Sequence, residues 1–227
     1  DSHKYSGENI TYRLNETKLL DNFSLSLSES TGIRHPDLYV LHGDNSNSSY
    51  YNGSFKSMLT TKPEKSLTRE LTGKYKISDK VSLKSSAYKS SVSDVLNRSN
   101  SSGGYNETID IKQEGLENSI NFKYENQNLA LTNTLSKSLE GNGRPQLRRP
   151  QIQYGANYNA KFNSNYIGQY GLNLNYRHVG QVEDWVGSVR KKVDSTDIIN
   201  LSLSKELLGM DWILSTTNLT DEYYQKP

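Results

Sequence analysis

Three arginines that cluster around two prolines are the side chains of this sequence best suited to binding an anion. Arg144, Arg148 and Arg149 lie close together in the chain, next to Pro145 and Pro150. A guanidinium group offers planar, directional donors that match phosphate or amide oxygens. We therefore predict that this segment captures a ligand. Contact with the phosphates of a lipid surface, or exposure to solvent alone, is the alternative interpretation.

Trp185 is the second candidate binding residue. It follows Glu183 and Asp184 in the polar stretch of residues 179–195, which we interpret as a loop. An exposed indole can pack on a flat macrocycle while its N–H remains free to donate a hydrogen bond. The alternative is an aromatic residue at a membrane–water interface.

Little in the sequence points to catalysis or to metal binding. The only histidines are His3, His35, His42 and His178, and no pair has the spacing of metal ligands on one helix. The numerous serines include no Gly-x-Ser-x-Gly elbow. We therefore expect no enzyme, no metal and no cofactor. A net charge of +2 gives no reason to expect a nucleic-acid partner.

The elements that must position these residues are β-strands, and residues 152–178 display them most clearly. Two runs of alternating apolar residues flank the turn-like Asn163-Ser164-Asn165: Ile152, Tyr154, Ala156, Tyr158, Ala160 and Phe162, then Tyr170, Leu172, Leu174 and Tyr176. Because successive side chains of a strand point to opposite faces, this pattern predicts an antiparallel hairpin with one apolar face and one polar face.

Alternation alone fits a soluble sandwich or a membrane barrel equally well. Similar runs recur at residues 9–14, 22–30, 70–77, 81–89, 105–124, 129–138, 197–205 and 210–218, and short turns alternate with long polar loops between them. A sandwich has no reason to collect its long connections at one end, whereas outer-membrane barrels have short periplasmic turns and long extracellular loops. We therefore predict an all-β fold, an antiparallel up-and-down transmembrane β-barrel of about ten strands.

Composition agrees with this fold. The chain is only 33% hydrophobic yet contains 16 tyrosines and no cysteine, which suits a wall whose strands are polar on one face.

Within residues 105–124, Ile109 and Ile111 have odd numbers, whereas Leu116, Ile120 and Phe122 have even ones. We predict a β-bulge at the intervening Gly115.

Three segments resemble, in chain order, motifs of TonB-dependent outer-membrane receptors. Lys62-Pro63-Glu64-Lys65-Ser66, followed by Glu70, resembles the entry to a barrel strand. Glu114-Gly115-Leu116-Glu117 resembles an internal motif of that family, and Asn218-Leu219-Thr220-Asp221-Glu222-Tyr223-Tyr224 resembles its near-terminal motif. Each segment is weakly specific alone, but together, in family order and at plausible spacing, they are strongly specific.

The resemblance implies a location in the outer membrane of a Gram-negative bacterium and active transport driven by TonB. Within the family, residues 91–96 and Leu147-Arg148-Arg149 resemble cobalamin transporters most. The expected ligand is therefore cobalamin or another corrinoid, and Arg148, Arg149 and Trp185 are expected to contact it. The barrel is expected to be surrounded by membrane lipid and lipopolysaccharide. A ferric-siderophore receptor is the alternative within the family; a passive porin and a soluble β-sheet binding domain are the alternatives outside it.

Members of the family carry an N-terminal plug with a TonB box, about 22 barrel strands and a closing strand with a terminal aromatic residue. None of these features is recognisable in the sequence. We therefore expect residues 1–227 to form the C-terminal part of a receptor barrel, without the plug, the first half of the barrel and the closing strand.

Overall fold

The computed structural model describes residues 11–35, 62–98, 105–166, 168–187 and 189–223. These residues form twelve strands: β1 (Thr11–Leu20), β2 (Phe23–Arg34), β3 (Glu64–Lys76), β4 (Val81–Arg98), β5 (Tyr105–Tyr124), β6 (Gln127–Glu140), β7 (Ile152–Ser164), β8 (Gly168–Val179), β9 (Val182–Val186), β10 (Val189–Val193), β11 (Thr196–Leu207) and β12 (Met210–Thr216). In these ranges no helix is long and apolar enough to cross a membrane.

Ten strands form one antiparallel sheet in the order β1-β2-β3-β4-β5-β6-β7-β8-β11-β12, and β9 and β10 form a separate hairpin. This confirms the predicted all-β, up-and-down architecture. The short turns all fall at one end of the sheet, and the connections between β2 and β3, β4 and β5, β6 and β7, and β8 and β11 fall at the other. Most of the first long connection, residues 36–61, lies outside the described residues.

One face of the sheet carries continuous apolar rows. Residues that pair across neighbouring strands point to the same face, so the register itself defines each row. The clearest one crosses eight strands: Phe23, Tyr75, Leu83, Ile120, Leu131, Ala156, Tyr176 and Ile199. Two rows further on, the same face presents Leu27, Leu71, Ala87, Leu116, Leu135 and Ile152. We call this the apolar face.

The opposite face, the polar face, is built from hydroxyl and amide ladders. Thr72 Oγ1 lies 2.6 Å from Ser86 Oγ across β3 and β4. The facing Asn157 and Asn175 belong to a second ladder, in which Asn200 Nδ2 donates to Asn175 Oδ1 at 3.4 Å. Asn159 and Asn173 are also hydrogen-bonded to each other. Polar side chains on this face therefore satisfy one another across the strands.

Polar side chains on one face are more buried than apolar side chains on the other, which is the reverse of a soluble protein. Thr72 and Ser86 are buried at 7% and 3% exposure, whereas Leu71 on the apolar face is 45% exposed. Among the described residues, Ile111 and Ala160 are the only buried hydrophobic side chains. A soluble sandwich would cover its apolar face with a second layer. This arrangement instead suits a wall whose apolar face meets lipid.

The predicted bulge at Gly115 is wrong. Gly115 pairs in continuous register with Tyr88 on β4 and with Ser136 on β6. The irregularity lies on β4 between Val92 and Val95, where Asp94 has a φ of 58°. A Cβ at Gly115 would lie 2.7 Å from atoms of the Tyr88 ring, so the glycine makes room for that ring on the polar face. Ile111, odd-numbered like Gly115, simply lies on the polar face.

Several bounds also differ from prediction; β4, predicted as residues 81–89, continues to Arg98. Residues 15–21 were expected to turn, but β1 continues to Leu20, and its pairing with β2 is irregular between Leu14 and Thr17. This irregularity explains why the alternating pattern is interrupted there. Residues 179–195 were expected to be a loop, but they contain the β9–β10 hairpin.

The near-terminal motif closes the end of the sheet. The Asn218 side chain accepts a hydrogen bond from Glu222 N and donates one to Glu222 O, both at 3.0 Å. Asn218 has a φ of 53°, a conformation that asparagine tolerates better than most residues. Its backbone N–H donates to Asn200 Oδ1 at 2.9 Å. The motif therefore fixes a compact turn against β11.

An arginine introduced on the apolar face is expected to destabilise the protein much more than one introduced on the polar face. Leu131 lies on the apolar face near the middle of β6, and Thr132 is its neighbour on the polar face. We expect Leu131→Arg to destabilise the intact protein by about 2–4 kcal/mol, because the guanidinium would enter the apolar layer. Thr132→Arg should change stability far less. Urea unfolding in detergent or lipid, followed by heat-modified gel mobility, measures both; equal effects would contradict the facial assignment.

Candidate functional site

The candidate binding residues meet where the β6–β7 connection contacts the β9–β10 hairpin, at the end of the sheet with the long connections. The hairpin pairs Trp185 with Arg190 and Asp184 with Lys191. Its turn contains Gly187 at a φ of 65°, a left-handed conformation that favours glycine. The Val-x-x-x-Val spacing of Val182 to Val186 and of Val189 to Val193 flanks this turn. This spacing is a signal in the sequence that could have identified the hairpin, which was instead interpreted as a loop.

The β6–β7 connection, residues 141–151, folds back along the end of β6. Glu140 N donates to Arg144 O at 2.8 Å, and Gln146 N donates to Ser138 O at 2.9 Å. Gly143 occupies the tight turn at a φ of 81°, and Asn142 Oδ1 accepts from Arg144 N at 2.9 Å. The arginine segment is thus held by backbone hydrogen bonds rather than extending freely into solvent.

Arg190 joins the hairpin to this connection. Its Nη2 donates to Glu140 Oε1 at 3.5 Å and to the Pro145 carbonyl oxygen. Its Nε lies 2.8 Å from Glu183 Oε2. The side chains of Arg190, Glu140 and Glu183 are only 16%, 15% and 26% exposed. Sequence analysis missed Arg190, because nothing in the local sequence indicates contacts with residues 45 and 50 positions away.

Arg148 forms the second joint between the two segments. Its backbone N–H donates to Glu183 O at 2.9 Å, and its Nε lies 3.0 Å from both carboxylate oxygens of Asp184. The Arg148 side chain nevertheless remains 57% exposed. The same Asp184 carboxylate accepts from Trp185 N at 2.7 Å. The structure therefore brings Arg148 and the Trp185 segment together through one aspartate.

A cavity of about 400 Å³ opens beside these joints. Its lining includes Arg149 from the β6–β7 connection, Lys192 and Glu183 from the hairpin, and Tyr154 and His178 from β7 and β8. Of the three arginines identified as candidates from the sequence, Arg149 lines this cavity. Trp185 does not line it; this indole is 41% exposed on the hairpin, next to the exposed Val186.

His178 belongs to an interstrand cluster on the apolar face. Its ring stacks on Tyr154 at a centroid distance of 5.2 Å, and its Nδ1 lies 2.9 Å from Asp197 Oδ1. Tyr176 Oη donates to the same carboxylate oxygen at 2.6 Å. Two such groups are too few for a metal site, and in the part of the chain that the structure describes no three His, Asp or Glu residues cluster to hold a metal ion.

The arrangement of the described residues is suited to binding a ligand. Two cationic side chains and one carboxylate line the cavity, and an exposed indole lies on the hairpin that helps to form it. Cationic groups suit anionic or amide-rich ligands, and an indole suits a flat apolar one. These features describe a recognition surface at the end of the sheet with the long connections, where its strand residues Tyr154 and His178 belong to the apolar face.

Comparison with known proteins identifies the architecture. A family model described as "TonB dependent receptor-like, beta-barrel" matches residues 1–220. No curated protein sequence matches the chain.

Solved structures with the same fold include a copper transporter, OprC, with 17% identity and a TM-score of 0.70. The ferric yersiniabactin uptake receptor FyuA of Yersinia pestis has 15% identity and a TM-score of 0.69, and the FrpB iron transporter of Neisseria meningitidis has 15% and 0.67. These matches cover 92%, 94% and 95% of this chain but only 33%, 32% and 35% of the respective proteins. The chain thus spans about a third of their length.

Arg190 is expected to hold the hairpin in place. Arg190→Met would leave Glu140 and Glu183, both largely buried, without their cation. Hydrogen bonds to charged groups contribute about 1.5–3 kcal/mol each, so amide hydrogen exchange in β9 and β10 should accelerate on the order of 10- to 100-fold. The matched control is Lys191→Met, an exposed neighbour. Unchanged exchange in Arg190→Met would show that the backbone contacts alone hold the hairpin.

Proposed function

The chain belongs to the TonB-dependent receptor-like β-barrel family, an outer-membrane family of transport receptors, and from this we propose that it forms part of the wall and mouth of an active nutrient transporter. The lipid-facing rows of β2 to β11 supply the wall, and the docked β6–β7 connection and β9–β10 hairpin supply the mouth. TonB would provide the energy by acting on a plug domain inside the complete barrel.

The open sheet supports a role within a larger barrel. Within the described residues, β1 and β12 are the two edges of the ten-stranded sheet, and each pairs with one neighbour. An unpaired edge is not tolerated in the hydrocarbon layer, because its backbone N–H and C=O groups would lack partners. We therefore infer that residues 1–227 act as the C-terminal part of a longer barrel whose other strands pair with these edges.

We propose cobalamin or another corrinoid as the ligand. The observation that carries this is the bond of Arg148 to Asp184, because it sets the Trp185 hairpin beside the cavity lined by Arg149. A corrinoid combines a flat macrocycle, peripheral amides and a phosphate. Trp185 would pack on the macrocycle, and Arg149 would donate to amide or phosphate oxygens. Arg148 would position the hairpin and offer its remaining N–H groups to the same ligand.

A ferric siderophore is the second candidate, and one observation favours it. Arg149 and Lys192 both line the cavity, opposed there by Glu183. Two cations beside one carboxylate attract an anionic ligand, and ferric siderophore complexes are commonly anionic. Under this alternative Trp185 contributes apolar contact without recognising a macrocycle.

Ligand titration of the intact receptor separates the two candidates. Purified receptor is titrated with cyanocobalamin and with ferric catecholate and hydroxamate siderophores, and binding is followed by tryptophan fluorescence and calorimetry. We expect tight binding of cyanocobalamin alone. Tight binding of a siderophore with none of cyanocobalamin would replace the corrinoid assignment, and binding of neither would overturn both.

Arg149 is expected to contribute more to binding than an equally charged neighbour. Arg149→Gln removes the guanidinium from the cavity and should weaken ligand binding by roughly 10- to 100-fold, since a charge-assisted hydrogen bond contributes about 1.5–3 kcal/mol. Arg148→Ala should weaken it too, through the hairpin. Lys191→Gln, an exposed change of the same charge, should have little effect. Equal affinity of Arg149→Gln and Lys191→Gln would remove Arg149 from the site.

A further inference from the structure

The apolar face ends, toward the long connections, in a row of charged side chains. One row beyond Leu27, Leu71, Ala87, Leu116 and Leu135, the register brings together Glu29, Arg69, Lys89, Glu114 and Lys137 on five neighbouring strands. All five share the face of the leucines, because each lies two residues further along its strand. We call these five residues the charged row.

The charged-row residues of β4, β5 and β6 lie where a membrane boundary is expected. Lys89 is eight residues from the turn end of β4, and Glu114 and Lys137 are ten residues from the turn ends of β5 and β6. With a rise of ~3.3 Å per residue and a strand tilt of about 40°, these positions lie roughly 20–26 Å above the turns. The apolar band of outer-membrane barrels is about 25 Å tall.

The same level continues on the remaining strands with other polar groups. Tyr154, His178 and Asp197 are each ten residues from the turn end of β7, β8 and β11, and they face one another on the apolar face. The hydrogen bond between His178 and Asp197 and the stacking of Tyr154 therefore occur at the depth of the charged row. The boundary that the lysines define thus extends across the sheet.

The opposite boundary has a different chemistry. Near the short turns, Phe162 stacks on Tyr170 at 5.2 Å, and Lys80 Nζ lies 4.7 Å from the centre of the Tyr124 ring. Tyrosine rings suit the headgroup level of a membrane–water interface. On the apolar face of β3 to β6, the lysines and arginines therefore lie at the end with the long connections.

Three lysines surround a single glutamate in this region. Lys89 and Lys137 flank Glu114 across the strands, and Lys112 lies one row above it on β5. All three lysines are exposed, and in the described ranges none of them forms an ion pair. Arg69, by contrast, is bonded to Glu29 at 2.6 Å. Lys89, Lys112 and Lys137 thus form a compact group with a net positive charge, which we call the lysine triad.

We propose that the lysine triad binds the phosphate groups of lipopolysaccharide. The short-turn end of such a barrel faces the periplasm, so the triad lies at the outer leaflet, whose lipid carries phosphates at its headgroups. Lysine side chains extend their ammonium groups from an apolar surface to the headgroup level. Leu116 and Leu135, directly below the triad, lie where acyl chains of the same lipid would pack. Charge and position together therefore match one amphiphile.

The proposal depends on the outer-membrane location but not on the transported ligand, so its test is independent of the corrinoid assignment. The intact receptor is purified in detergent, and its affinity for lipopolysaccharide, enzymatically dephosphorylated lipopolysaccharide and phosphatidylglycerol is measured by calorimetry. Native mass spectrometry counts the lipid that remains bound after purification. The heat-modified gel mobility of each variant is measured in parallel as a check on folding.

The combined variant Lys89→Gln/Lys112→Gln/Lys137→Gln should bind lipopolysaccharide about 100-fold more weakly, because each cation near an anionic lipid surface contributes roughly fivefold. Lys112→Gln alone, which changes only the outermost lysine, should weaken binding about fivefold. The matched control, Lys84→Gln/Lys123→Gln/Lys161→Gln, removes three lysines from the polar face and should bind within about twofold of the original protein.

Three results would overturn the proposal. The first is unchanged lipopolysaccharide affinity in both lysine-triad variants. The second is equal affinity for the dephosphorylated lipid, which would show that acyl chains alone account for binding. The third is equal affinity for phosphatidylglycerol, which would assign the triad to anionic lipids in general rather than to lipopolysaccharide.

Discussion

Antiparallel backbone pairing from β2 to β8, irregular only at the far end of the β4–β5 pair among these strands, is the constraint on which the other features of this structure depend. Because side chains alternate with a period of two, this shared register turns seven separate sequence patterns into one apolar face and one polar face. Leu71 and Thr72 are chain neighbours, yet one is 45% exposed and the other is buried at 7%. A shift by one residue in any strand would exchange those environments.

Several strands are longer than the apolar layer that they cross, and this excess length explains the chemistry at the mouth. β5 has 20 residues, whereas roughly 9–11 tilted residues span a bilayer. Beyond the charged row the apolar face no longer meets hydrocarbon, and an isoleucine is better placed on the opposite face, where Ile111 is buried. The strand extensions also carry Glu140 to the position where it pairs with Arg190.

Local sequence patterns predicted most strands of the sheet, but they did not predict the features that depart from simple alternation. Alternation identified β7 and β8, and it gave the bounds of β5 correctly. It misinterpreted Gly115, because a change of apolar face and a β-bulge produce the same shift in numbering. It also missed the β9–β10 hairpin, whose two strands have five residues each and contain charged residues. Arg148, Arg149 and Trp185 were chosen by residue type, a criterion that carries no information about Asp184 or the cavity.

The sequence by itself determined the fold class, the two chemically distinct faces and the asymmetry between short turns and long connections, because each arises from periodicity and composition within a single strand or loop. Only the tertiary structure decided which loops meet. The contacts of Arg148 with Asp184 and of Arg190 with Glu140 join residues 36 and 50 positions apart. Such contacts depend on where strand ends converge, and the charged row likewise exists only because the register aligns five separate strands.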